Sequence, residues 1–258
     1  MQAHEKIGAA IKAARDADRT ALVPFVTAGY PEMDSFAATV EAISKVGDVV
    51  EIGVPFSDPM ADGMTIQRSS HVALQNGVSL KWIFDQLDAA KSQIDAPLVL
   101  MSYINPLLAF GFEELATRAI ESGVCAFIVP DLPLEESEEL DAALQAKGVG
   151  LIQLVTPATP DDRLQRLAEA SRGFLYAVTI TGITGGSSGS PADLARYLDK
   201  VSAISSIPVC AGFGIREAAD VAAVGQHAAG AIVGSALVEV LERGEDPVAF
   251  LNSLLRGA

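Results

Sequence analysis

Eight short apolar runs, each followed by a segment with helical spacing, constrain this chain more than any other feature. The runs are 21–26, 48–54, 97–101, 125–129, 150–155, 174–178, 207–211 and 230–233. They are nearly continuous in Val, Ile, Leu, Ala and Phe, the pattern of strands buried on both faces. Segments at 35–45, 64–76, 79–92, 112–122, 135–146, 161–171, 192–204, 216–224 and from about 236 onward read as helices. Asp34 is the expected N-cap of the first of these. Ile7, Ala10, Ile11 and Ala14 add an amphipathic helix over 2–17, before the first strand. Parallel strands need a crossover, and a helix supplies it. Eight such units in 258 residues predict a (β/α)8 barrel. The expected barrel is one domain over residues 1–258, with an extra N-terminal helix and extra short helices in its loops. The competing arrangement, a doubly wound open sheet, is less well matched because no GxGxxG follows the first strand.

The charge balance narrows the partners. A formal net charge of -15 opposes a nucleic-acid surface and an anionic membrane alike, since both need clustered Lys and Arg. Backbone N–H groups can still hold an anion locally. Cys125 and Cys210 stand far apart in apolar runs, so they read as small core residues in a reducing compartment. The polar start of the chain has no signal-peptide core, and no run approaches a membrane span. A soluble cytoplasmic protein is expected.

Active sites of such barrels lie at the C-terminal ends of the strands, which directs attention to Glu51-Ile52-Gly53-Val54-Pro55-Phe56-Ser57-Asp58-Pro59-Met60-Ala61-Asp62-Gly63. Glu51 interrupts an apolar strand. Alternation places it on the face opposite to Val50 and Ile52. Asp62 lies at the far end of the loop that follows. Glu51 is either a structural ion-pair partner or one of two carboxylates doing acid–base work. Asp131, after the fourth strand, is a weaker third acid that could simply shape its turn. Gly212-Phe213-Gly214 and Gly234-Ser235, after the last two strands, suit the phosphate pocket usual in this fold. The small, polar stretch from Thr181 to Ser190 suits either a mobile lid or a plain connector. His4, His71 and His227 show no metal-ligand spacing. The seven lysines fall in helical segments and offer no Schiff-base candidate. Carboxylate chemistry remains, and burial would raise the pKa of Glu51 so that it could deliver a proton as well as take one.

These motifs, together with Phe25-Val26-Thr27-Ala28-Gly29 and Gly234-Ser235-Ala236, resemble the tryptophan synthase alpha subunit family from about residue 5 to 255. The stretch around Glu51 is close to a signature of that family. The resemblance implies a (β/α)8 barrel that cleaves indole-3-glycerol phosphate to indole and glyceraldehyde 3-phosphate, without a cofactor of its own. It implies that Glu51 protonates the indole ring carbon and that Asp62 binds the indole N–H. Tyr176 would line the site, and Phe213, with Leu22, Leu100 and Leu154, the indole pocket. Thr184 would position Asp62 from the lid, and Gly185, Gly214, Gly234 and Ser235 would hold the phosphate. Pro55 and Asp58 would face a beta subunit that carries pyridoxal phosphate, in an α2β2 heterotetramer. A stand-alone lyase that releases indole, and a non-catalytic phosphate-binding barrel, share many of these features. The stretch Gly186-Ser187-Ser188-Gly189 lacks the charged lid residue of several relatives.

Overall fold

The computed structural model describes residues 1–179, 190–212 and 214–256. Among them, β1 is Ala21–Thr27, β2 Val50–Gly53, β3 Leu98–Met101 and β4 Val124–Ile128. β5 comes in two pieces, Gly150–Ile152 and Leu154–Val155, followed by β6 (Leu175–Val178), β7 (Val209–Gly212) and β8 (Gly230–Val233). All neighbouring strands pair in parallel. The order runs from the first piece of β5 through β4, β3, β2, β1, β8, β7 and β6 to its second piece. The sheet therefore closes on itself at Gln153, where the single expected strand divides. The Gln153 N–H donates to Ser171 Oγ at 2.9 Å, and its carbonyl accepts the Tyr176 N–H at 3.0 Å. Both backbone groups are satisfied although the ladder is interrupted, as buried groups must be.

Side-chain alternation sorts the strand residues into two cores. Val23, Val99, Ala126, Ile128, Cys210 and Ile232 fill the barrel interior. Leu22, Val26, Val50, Ile52, Leu98 and Leu100 pack in the layer shared with the surrounding helices. This corrects the expectation for Leu22 and Leu100. Both are fully buried in the helix-facing layer, because their strand neighbours Val23 and Val99 are the ones that take the inward positions.

The N-terminal helix Ala3–Asp16 plugs the N-terminal end of the barrel. Ile7 and Ile11 join the interior cluster, fully buried. The His4 N–H donates to the carbonyl of Gly148, just ahead of β5, at 3.2 Å. Local chemistry elsewhere moved several expected boundaries. A 3-10 turn over Met33–Ser35 precedes the helix Phe36–Ser44, so Asp34 lies inside the turn and does not cap that helix. An additional helix, Ile104–Phe110, follows β3, and the next helix starts directly beyond Gly111. The expected final helix is two, Ser235–Glu242 and Pro247–Leu255. Gly244, at φ 66, turns the chain in the left-handed region between them. Asp246 then accepts the Val248 and Ala249 N–H groups at 2.8 and 3.2 Å and starts the second helix.

Truncating the plug tests the interior core. Ile7→Ala is expected to cost roughly 2–5 kcal/mol in urea denaturation, because it empties a fully buried site. Ile120→Ala, on a surface-facing side chain, is expected to cost within about 0.5 kcal/mol. Equal losses would show that the plug is not part of the core.

Candidate active site

The C-terminal ends of the strands enclose a cavity of about 240 Å³. Glu51, Asp62 and Tyr176 line it, as do Gly212, Gly214, Gly234 and Ser235. Phe25, Ile66, Met101, Leu154 and Ile232 supply apolar wall. One space thus holds the two acids and the two glycine-rich strand ends that the sequence singled out separately.

Glu51 occupies the middle of β2, in register with Phe25 of β1 and Val99 of β3. Its neighbours Val50 and Ile52 face the helices, so Glu51 faces inward. It is 1 % exposed. Its Oε2 has no hydrogen-bond partner, and it forms no ion pair among the described residues. The ion-pair reading of Glu51 therefore loses its support. An ionised carboxylate without donors is costly inside protein, and the group responds by holding its proton. Burial, aided by the charge of Asp62, pushes the Glu51 pKa up to about 8.

Asp62 is half-buried, and burial raises its pKa as well. The nearby Tyr103 hydroxyl pulls it partly back. Tyr103 is itself fixed. Its hydroxyl accepts the Ala61 N–H at 2.9 Å, and its ring stacks on Phe56 with centroids 5.0 Å apart. The Asp62 carbonyl accepts from Gln67 Nε2 at 2.8 Å, which ties the end of the loop to the helix Met64–Gln75. Tyr176 has its pKa pushed well above the ordinary tyrosine range by burial and by the charge of Glu51. Gly212 makes room for it: a Cβ there would stand 2.6 Å from the Tyr176 hydroxyl. Gly53 does the same for the ring of Phe25, at 2.5 Å. Glycine at these two strand ends lets aromatic rings lie across the sheet.

At the other wall, the helix Ser235–Glu242 begins at Gly234, whose carbonyl accepts the N–H groups of Leu237 and Val238 at 2.9 and 3.1 Å. The N–H groups before these have no acceptor within the helix, and such an end favours an anion. A Cβ on Gly234 would lie 4.0 Å from Phe25, so the space beside it belongs to the cavity.

The remaining expected residues divide. Leu154 lines the cavity, whereas Leu22 and Leu100 do not. Phe213, Thr184 and Gly185 lie outside the described residues. Asp131 accepts the Ile104 N–H at 2.9 Å and serves the start of the extra helix, away from the cavity. Asp58 is exposed, but Pro55 is buried within the chain and has little surface to offer a partner. No lysine lines the cavity among the described residues. Among the described residues, no His, Cys, Asp and Glu side chains form a group of three or more placed to hold a metal ion, and no helix is long and apolar enough to cross a membrane. Tyr103, Phe25, Met101 and Arg216 were not singled out as site residues in the sequence. Phe25 had a readable signal, because its pairing with Glu51 follows from the strand alignment. Tyr103 had its position just after β3, at the strand ends where sites of this fold lie, whereas Arg216 had none, since its place depends on how its loop folds back.

A family model described as tryptophan synthase alpha chain matches residues 11–254. The tryptophan synthase alpha chain of Roseiflexus sp. (strain RS-1) is 45% identical over 231 residues, covering 89% of this chain and 88% of that one. That of Nitratidesulfovibrio vulgaris (strain DP4) is 42% identical over 244 residues, covering 94% and 95%. A solved structure of tryptophan synthase from M. tuberculosis superposes with a TM-score of 0.89 at 34% identity, covering 98% of this chain and 97% of that one. The tryptophan synthase subunit alpha of Legionella pneumophila str. Paris gives 0.88 at 29% identity, covering 99% and 98%.

Burial of Glu51 has a consequence for stability. Between its ordinary value of 4.5 and about 8, the unfolded chain ionises this group while the folded chain keeps the proton. The stability it contributes is full below the lower value, falls as pH rises, and is gone above the upper one. Wild type is therefore expected to lose stability between about pH 4.5 and pH 8 that Glu51→Gln retains, as read from urea midpoints. Parallel losses in the two proteins would contradict the raised pKa.

Proposed function

The chain belongs to the tryptophan synthase alpha chain family, and from that premise we propose that Glu51 and Asp62 carry its chemistry. The activity of the chain is the cleavage of indole-3-glycerol phosphate to indole and glyceraldehyde 3-phosphate, a step of tryptophan biosynthesis. The observation that carries the assignment of residues is the buried, unpartnered carboxyl of Glu51 in the same cavity as Asp62.

The reaction breaks the bond between the indole ring carbon and the glycerol chain. Glu51, protonated at neutral pH, gives its proton to that ring carbon, and positive charge spreads to the ring nitrogen. Asp62, as carboxylate, accepts the indole N–H bond and stabilises that charge. Glu51, now ionised, takes the proton of the hydroxyl next to the breaking bond. The carbon–carbon electron pair returns to the ring, indole is restored, and the aldehyde leaves. One proton goes out and one comes back, so Glu51 finishes as it began. A pKa near 8 serves both steps close to neutral pH. Tyr103 holds Asp62 in place, and Tyr176 closes the space beside Glu51. The phosphate lies on Gly214, Gly234 and Ser235, where helix N–H groups face the cavity. Phe25, Ile66, Met101 and Leu154 enclose the indole.

The partner in this reading is a tryptophan synthase beta subunit, in an α2β2 heterotetramer. The rim around Asp58 supports it: Met60 and Met64 are 81 % and 77 % exposed, and Leu108, beyond β3, is 55 % exposed. Large apolar side chains left in water beside an active site suit a protein interface. Pyridoxal phosphate belongs to that subunit, and this chain works with its carboxylates alone, in the cytoplasm.

Glu51→Gln keeps the shape of the side chain and removes the acid. Indole formation from indole-3-glycerol phosphate is expected to fall by roughly 10²–10⁴-fold, with KM held within a few-fold. Turnover close to wild type would sink the assignment of Glu51.

A further inference from the structure

One charged side chain at the cavity has no part in the mechanism above. Arg216 follows Gly214-Ile215 in the loop after β7, and it lines the cavity with Gly214, Gly234 and Ser235. Among the described residues it is the one basic side chain there, facing a space that otherwise holds the acids Glu51 and Asp62. Its guanidinium makes a two-pronged bond to Glu239, with Nη1 at 2.8 Å and Nη2 at 3.1 Å. Glu239 stands four residues, about one turn, beyond Ser235, so the two share a face of the helix Ser235–Glu242. Thr65 also donates to Glu239, at 3.3 Å. The other charges nearby are accounted for. Asp220 accepts the Arg216 backbone N–H at 2.8 Å, and Arg243 is paired with Glu245 at 2.7 Å.

A lone carboxylate one turn along the helix that receives the phosphate would oppose it. Like charges on one face of a short helix repel, and a dianion feels this more than a monoanion. Arg216 cancels that charge, and its fork geometry suits the task better than a lysine would. We propose that Arg216 is a specificity-determining residue that works through Glu239: by masking that carboxylate it keeps the helix end at Ser235 receptive to a phosphate dianion. This rests on the phosphate position given under the proposed function. It adds a positioning residue outside the glycines and the serine that hold the group.

The test uses the full chain as wild type, Arg216→Gln, Glu239→Gln and the double variant. Cleavage of indole-3-glycerol phosphate is measured, together with competition by inorganic phosphate. Arg216→Gln is expected to raise KM and the phosphate inhibition constant together, by roughly five- to ten-fold, with kcat unchanged. The double variant is expected to return both to within about two-fold of wild type, and Glu239→Gln alone to raise neither. If the double variant stays as weak as Arg216→Gln, the guanidinium acts on the phosphate directly and masking is overturned. An unchanged KM in Arg216→Gln, or a fall confined to kcat, overturns it too. If inorganic phosphate fails to compete in wild type, the phosphate site itself is wrong, which separates that failure from the failure of masking.

Discussion

A buried carboxyl group that finds no hydrogen-bond donor for its Oε2 among the described residues is the constraint on which this active site depends. Glu51 is enclosed by the barrel, one of its oxygens is unsatisfied, and no cation is paired with it among the described residues. Each of these is unfavourable for an ionised acid, and together they keep the proton on at neutral pH. The same features would be a defect in a purely structural residue. In the proposed mechanism they make an acid able to give a proton to carbon and a conjugate base able to recover one. Asp62 differs because its surroundings differ: it is only half-buried, and the nearby Tyr103 hydroxyl works against the effect of burial on its pKa. Two like side chains thus sit in unlike environments, which suits the proposed pairing of an acid with a charge stabiliser in one cavity.

The rest of the fold bears on that arrangement. Closure of the sheet at Gln153 removes free edges and fixes the inward direction of every strand position. The N-terminal helix fills the opposite end of the barrel with Ile7 and Ile11, so the interior is packed below the site and open only above it. Gly53 and Gly212, at the ends of β2 and β7, leave room for the rings of Phe25 and Tyr176 beside their strands. The apolar wall that results keeps water from Glu51 while leaving room for a flat aromatic substrate. Function and packing therefore draw on the same residues, and changes made for one are felt by the other.

Strand parity explains what could be read in the sequence and what could not. The continuous apolar runs announced parallel buried strands, and their number announced the barrel. Glu51 between Val50 and Ile52 announced an inward acid, because alternation is a local property. The same rule assigns Leu22 and Leu100 to the helix layer. They were expected in the pocket through family likeness alone, and parity applied to Val23 and Val99 corrects that. Asp34 and the single C-terminal helix failed for a different reason. A 3-10 turn and a left-handed Gly244 cost little energy over the regular alternative, so tertiary packing decides between them. Arg216 was silent because its role exists only after separate loops meet, and of Tyr103 only its position at the end of β3 was legible. The signal for Asp62 was its place in the loop, whereas its control by Tyr103 needed the fold.

The account stands on the protonation state of one side chain, which can be observed directly. Carbon-13 labelling of glutamate side chains, with Glu51→Gln used to assign the Glu51 carboxyl resonance, permits its titration by NMR in the folded chain. The expected midpoint is near 8, well above the ordinary glutamate value of 4.5. A midpoint in the ordinary range of about 4 to 5 would contradict it, since Glu51 would then be a carboxylate at neutral pH with no proton to give.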